Sequence, residues 1–204
     1  MIAIVDYGVG NLFSLCGSFA EIGVEAVATN DKNIITKADK VVLPGVGAFS
    51  DAAAKLRGTG LDKTLCEMAG TTPLLGICLG MQMLFERSFE YGEHRGLGLI
   101  PGDIVAMRDV IAPTLKVPQI GWNALKFNHE NGISPLYSRI KEGDYVYFVH
   151  SFYAKTDSKY VSALCEYGAD LTASAENGTV FGTQFHPEKS GKTGLNILRA
   201  FAEM

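Results

Sequence analysis

Leu74-Leu75-Gly76-Ile77-Cys78-Leu79-Gly80-Met81-Gln82 is the stretch on which the reading of this chain turns. A short apolar run closes on Gly-x-Cys-x-Gly, and a Met-containing apolar stretch follows. That order is a nucleophile elbow, in which a strand turns sharply into a helix and lifts one side chain above the sheet edge. A Cβ on either flank would crowd so tight a turn, which accounts for glycine at 76 and 80. The free amides and dipole of the following helix suit an anionic sulfur at the apex. Cys78 is therefore read as a nucleophile.

Working outward, residues 2–5, 24–28, 41–43 and 74–77 are continuous apolar runs, and residues 12–22, 52–68 and 79–85 are amphipathic stretches between or after them. Strands buried on both faces read this way, and the repeated β-then-α order predicts a doubly wound parallel sheet. After about residue 97 the texture changes. Segments 97–105, 120–126, 144–153, 160–167, 171–176 and 179–185 read as strands joined by Gly, Asn and Asp turns. Glu176-Asn177-Gly178-Thr179 predicts a hairpin with a type I′ turn. Residues 194–204 predict a final helix, with Leu195, Leu198 and Phe201 at helical spacing. The expected fold is α/β: one domain over residues 1–204, with a mostly parallel central sheet, flanking helices and an antiparallel extension.

The 204 residues are 47% hydrophobic and 20% charged, which is ordinary for a soluble enzyme. A net charge of −4 with no basic concentration argues against nucleic acid and anionic membrane as partners. No apolar run approaches the roughly 18 residues of a membrane helix. Met1-Ile2-Ala3-Ile4-Val5-Asp6 lacks the basic start of a signal peptide and reads as a strand. Cys16, Cys66, Cys78 and Cys165 lie far apart without a CxxC pair, so neither a disulfide framework nor a zinc site is expected, and a reducing cytoplasm fits. Away from the elbow, Cys16, Cys66 and Cys165 read as small buried hydrophobes. Gly8-x-Gly10 follows a strand, but Phe13 occupies the third glycine position of a dinucleotide fingerprint. No GxxxxGK[ST] is present either. No cofactor is called for.

A cysteine nucleophile needs a base and a group that orients the base. His94 and His129 lie in polar stretches and read as solvated loop residues. His186 closes an apolar strand and precedes Pro187-Glu188. The proline stiffens the chain and fixes Glu188 beside the imidazole, where a carboxylate selects the tautomer and stabilises the imidazolium. Cys78, His186 and Glu188 form a candidate triad. His150, ending another strand, is the competing base, without a nearby carboxylate in sequence. The oxyanion needs backbone donors. Leu79 supplies one amide, and the Gly-rich loop Pro44-Gly45-Val46-Gly47 is the candidate source of the second.

With Gly76-Ile77-Cys78-Leu79-Gly80-Met81-Gln82 and Gln184-Phe185-His186-Pro187-Glu188 both present, the chain resembles the class I (triad-type) glutamine amidotransferases. These have a flavodoxin-like fold. Five further blocks make it similar to one branch, the glutaminase subunits of imidazole glycerol phosphate synthase in histidine biosynthesis. They are residues 6–12, 43–49, 120–123, 148–152 and 182–190. The resemblance implies that Cys78 attacks the glutamine carboxamide, that His186 protonates the leaving amine, and that Glu188 orients His186. It implies glutamine binding by Gln82, Glu90 and the backbone of Ser151 and Phe152, and an oxyanion strand at Gly45, Val46 and Gly47. It also implies a separate (β/α)8-barrel cyclase as partner in a heterodimer, since no residues remain for an ammonia-accepting domain. Asn11, Trp122, Tyr147 and Lys189 are the docking positions carried over. One departure is Gln119, where many relatives carry histidine.

Two other readings stay open on the residues alone. A stand-alone cysteine hydrolase of the same scaffold would be fully active without a partner. A non-catalytic binding module would leave the pairing of cysteine with His-x-Glu unexplained.

Overall fold

The computed structural model describes residues 1–130 and 132–204. Strand β1 (Ile2–Val5) leads into α1 (Leu12–Glu21), β2 (Ala26–Thr29), the single turn α2 (Lys32–Ile35) and β3 (Lys40–Leu43). Helices α3 (Phe49–Thr59) and α4 (Leu61–Met68) precede β4 (Leu74–Ile77) and α5 (Leu79–Leu84). Next come β5 (Phe85–Ser88), β6 (His94–Arg95), β7 (Ile100–Ala106), β8 (Gln119–Ala124) and β9 (Lys126–Phe127). The chain closes with β10 (Tyr145–His150), β11 (Phe152–Lys155), β12 (Val161–Glu166), β13 (Asp170–Asn177), β14 (Val180–Thr183) and α6 (Gly191–Glu203).

The main sheet has the order β2-β1-β3-β4-β14-β13-β12-β9. Its first five strands run parallel and the last three pair antiparallel, so the parallel core with an antiparallel extension is observed. Alternation along β1 shows why its apolar run is unbroken. Ile2 and Ile4 enter one core with Leu15 and Phe19 of α1 and Leu198 and Phe201 of α6. Ala3 and Val5 enter the other with Phe49 and Leu56 of α3, Leu65 of α4 and Met81 of α5. A strand presents successive side chains to opposite faces, and here both faces are covered by helices. Burying a fully covered ring such as Phe19 or Phe49 contributes about 1.5–3 kcal/mol. β8 and β10 form a separate antiparallel ribbon, and β11-β7-β5-β6 a third sheet.

Several sequence expectations need correction. The helix expected over 52–68 is two helices, because Gly60 adopts φ +73° and its amide bonds Arg57 O at 3.0 Å, ending α3 and starting α4. The helix expected to reach Phe85 stops at Leu84, and the chain continues as β5. The single strand expected over 144–153 is broken at Ser151, whose carbonyl accepts from Met107 N, so β10 and β11 join different sheets. The 176–179 hairpin forms, but with Asn177 paired to Val180 the turn residues are Gly178 and Thr179. Gly178 has φ +60° while Asn177 and Thr179 stay at negative φ, the type II′ pattern rather than type I′. Cys66 is exposed, since Leu61, Leu65 and Met68 take the buried face of α4. His94 is half-buried in β6 against the Phe49 ring rather than in a solvated loop. His129 is exposed and faces Glu142 at 3.2 Å; Asn131 of that loop lies outside the described residues.

Candidate active site

β4 and β14 are parallel neighbours, with Ile77 opposite Thr183. Cys78 leaves the end of one and His186 lies three residues past the end of the other, so the topology delivers both to one sheet edge. Cys78 has φ +54° and ψ −112°, a conformation that costs an ordinary residue on the order of 1–3 kcal/mol. Backbone bonds hold it there: its amide donates to Thr183 O at 2.7 Å, and its carbonyl accepts from Gln82 N at 3.1 Å. The flanking glycines are required by close approach. A Cβ on Gly80 would stand 1.9 Å from Leu43 O, and one on Gly76 would stand 2.7 Å from Gly80 O.

His186 Nδ1 lies 2.8 Å from Glu188 Oε1, both side chains being almost fully buried. Burial alone would depress the imidazolium, but the hydrogen bonds and negative charges of Cys78 and Glu188 outweigh it and lift His186 to about 9. His150 has the opposite character. Its Nδ1 is 2.8 Å from Phe152 O and its Nε2 is 2.9 Å from the Gln119 carboxamide. Burial, helped by the charge of His186 and opposed by the Phe152 bond, pushes it down to about 4. Of the two histidines, His186 is the one beside both a thiol and a carboxylate.

A cleft of about 300 Å³ opens over Cys78. Of the predicted site residues, His186, Leu79, Val46, Gly47, Gln82, Glu90, Ser151 and Phe152 line it as well. Gly45 does not. It is buried below, where a Cβ would stand 2.7 Å from Gly80 N, and Tyr7 Oη donates to the neighbouring Pro44 O at 2.8 Å. Gln82 donates both amide hydrogens, to Phe152 O at 3.2 Å and Gln184 Oε1 at 3.0 Å. With both amide hydrogens engaged, the remaining hydrogen-bonding atom of this cleft-lining side chain is Oε1, an acceptor.

Two residues missed in the sequence belong to this site. Gln184, fully buried, donates to Cys78 Sγ at 3.8 Å while accepting from Gln82. Ser190 Oγ donates to His186 O at 2.6 Å and accepts from Tyr147 N at 2.9 Å, and His186 N donates to Tyr147 O at 3.0 Å. The histidine turn is thereby pinned to β10. A polar residue inside an otherwise apolar strand end was the available signal for Gln184, because a buried amide demands partners.

On the outer side of the β8–β10 ribbon, Trp122 is half-exposed and packs edge-on against Tyr147 with ring centroids 6.0 Å apart. Ile120 and Tyr145 are exposed beside them. Asn11 and Lys189 are exposed, Asn11 capping α1 through Ser14 N at 3.3 Å. Among the described residues no cluster of His, Cys, Asp or Glu is arranged to hold a metal ion. Among the same residues no helix is long and apolar enough to cross a membrane.

The model of the family "Glutamine amidotransferase class-I" matches residues 3–204. The chain belongs to the class I glutamine amidotransferases. It is 47% identical over 208 residues to the "Imidazole glycerol phosphate synthase subunit HisH" of Carboxydothermus hydrogenoformans, covering 100% of both chains. It is also 47% identical over 206 residues to the subunit of the same name from Sulfurimonas denitrificans, covering 100% of this chain and 98% of that one. Among solved structures, a "glutamine amidotransferase" crystal structure superposes with a TM-score of 0.75 at 18% identity, covering 100% of this chain and 98% of that chain. The amidotransferase fold and the enzyme class are those expected from the elbow and the His-Pro-Glu turn.

Proposed function

We propose that this chain is the glutaminase subunit of imidazole glycerol phosphate synthase, a single amidotransferase domain working in the cytoplasm beside a separate barrel-type cyclase. The observation that carries the reading is the meeting of Cys78, His186 and Glu188 at one sheet edge, in a chain that matches the curated HisH subunits over its whole length.

In this reading the Cys78 sulfur attacks the side-chain carbonyl carbon of L-glutamine. The carbonyl electron pair moves to oxygen, which the Leu79 amide and an amide of the Gly45–Val46–Gly47 loop receive. His186 passes a proton to the nitrogen as the C–N bond breaks, releasing ammonia and leaving a glutamyl thioester on Cys78. Water, deprotonated by His186, then releases glutamate and restores the thiol. Glu188 holds the imidazole so that its other nitrogen faces the sulfur. Gln82 and Glu90 present acceptors to the α-ammonium of glutamine, with backbone at Ser151 and Phe152 completing that end. Ammonia passes to the cyclase, which uses it on a phosphoribulosyl-formimino carboxamide ribotide to form imidazole glycerol phosphate. Trp122, Tyr147, Asn11 and Lys189 serve as the docking face.

Acid quenching during glutamine turnover, followed by peptide mass spectrometry, tests the chemistry. A glutamyl adduct on the peptide carrying Cys78 is expected. An adduct on Cys66 or no adduct at all would contradict it.

A further inference from the structure

The cleft loop is fixed by close packing at its upstream end, and at its downstream end by the buried Phe49 ring and one carboxylate on the Phe49 amide. Upstream, Gly45 is locked against Gly80, and Pro44 is tied to Tyr7 Oη at 2.8 Å. Between the ends, Val46 is 44% exposed and Gly47 sits at φ +93°, so the loop has little packing of its own. Downstream it runs straight into α3. The first amides of a helix need outside acceptors, normally an oxygen on the N-cap side chain. Here the N-cap is Ala48, which has none to give. The acceptor comes from 41 residues away: Phe49 N donates to Glu90 Oε2 at 2.5 Å. A carboxylate at a helix N-terminus makes a charge-assisted bond favoured by the helix dipole.

That same Glu90 lines the cleft together with Val46 and Gly47. Its own position is set by its amide, which donates to the buried Ser88 Oγ at 3.2 Å, and by the adjoining Tyr91 ring, edge-on to Phe152 at 6.3 Å. We infer that Glu90 is a positioning residue that couples recognition of the substrate's α-ammonium to the placement of the oxyanion loop, by capping the helix into which that loop runs. The inference rests on the glutaminase reading. One oxygen holds the exit of the loop while the other meets the substrate's ammonium, so a substrate that engages Glu90 also steadies the Val46–Gly47 amides over Cys78. Glu90 thereby contributes to turnover as well as to affinity.

Steady-state glutaminase kinetics with the cyclase partner and its ribotide test this on Glu90→Gln, Glu90→Ala and the double variant Glu90→Ala/Ala48→Ser. Glutamine at Glu90→Gln keeps an acceptor for the Phe49 amide and loses the charge, whereas alanine loses both. KM for glutamine is expected to rise roughly tenfold or more in both single variants, with kcat of Glu90→Ala roughly tenfold below that of Glu90→Gln. Serine at 48, in the extended conformation of an N-cap, accepts from the Ser50 or Asp51 amide. It is expected to recover most of that kcat difference while leaving KM high. Thermal melting of each variant shows that the comparison is among folded chains. Equal kcat in the two single variants, or no recovery on adding Ala48→Ser, would overturn the coupling. If the wild-type chain itself releases no glutamate under these conditions, the glutaminase reading fails and the inference falls with it.

Discussion

Ser190 Oγ bridges the carbonyl of His186 and the amide of Tyr147, at 2.6 and 2.9 Å. One buried hydroxyl thus joins the turn that carries His186 to β10, the strand that carries Tyr147.

The raised His186 gives the fold a pH dependence with a definite sign. Because its folded value of about 9 lies above the ordinary 6.5, its contribution to stability is complete below about 6.5 and is lost as pH rises toward 9. Urea unfolding between pH 6 and 9.5 is expected to show wild type losing stability over that window. Glu188→Gln removes one of the two raising partners and is expected to flatten the decline. A parallel decline in both proteins would contradict the pairing.

Glycine-to-alanine changes separate close approach from helix propensity. Gly80→Ala places a Cβ 1.9 Å from Leu43 O and is expected to cost more than about 4 kcal/mol or to prevent folding. Gly17→Ala, in the exposed middle of α1 with nothing within 4 Å, is expected to stabilise by about 0.5–1 kcal/mol. Chemical denaturation of both variants checks the pair; a tolerated Gly80→Ala would mean that the elbow is not packed as described.

Gln184 is expected to matter to chemistry although it lies beneath the cleft. Gln184→Leu removes the donor to Cys78 Sγ and leaves one Gln82 amide hydrogen without an acceptor. An orphaned buried donor costs about 1–3 kcal/mol, so kcat/KM for glutamine is expected to fall roughly 10–100-fold. Unchanged kinetics would show that Gln82 keeps its orientation without Gln184.

The elbow was legible because its chemistry is local: two glycines, one cysteine and the strand before them are consecutive residues. His186 and Glu188 were legible for the same reason, being two residues apart across a proline. Gly60 was not, because the apolar spacing of residues 52–68 continues through it and only the backbone angle reveals the break. Strand β5 was hidden likewise, Phe85 fitting the helical stripe before it. The hairpin at 176–179 was located from Asn-Gly, but its turn type depends on which residues pair across the ladder. Roles that depend on distant residues, such as Glu90 capping α3 and Ser190 clasping β10, leave no mark on their neighbours in sequence.

The most direct measurement is glutamate release from glutamine by the purified chain, alone and with the cyclase plus its ribotide. Low release alone, rising on the order of a hundredfold or more in the ternary mixture, is the predicted result for a partner-gated glutaminase. Undiminished release without the partner would contradict it and favour a stand-alone cysteine hydrolase, and no release under either condition would leave only a binding module.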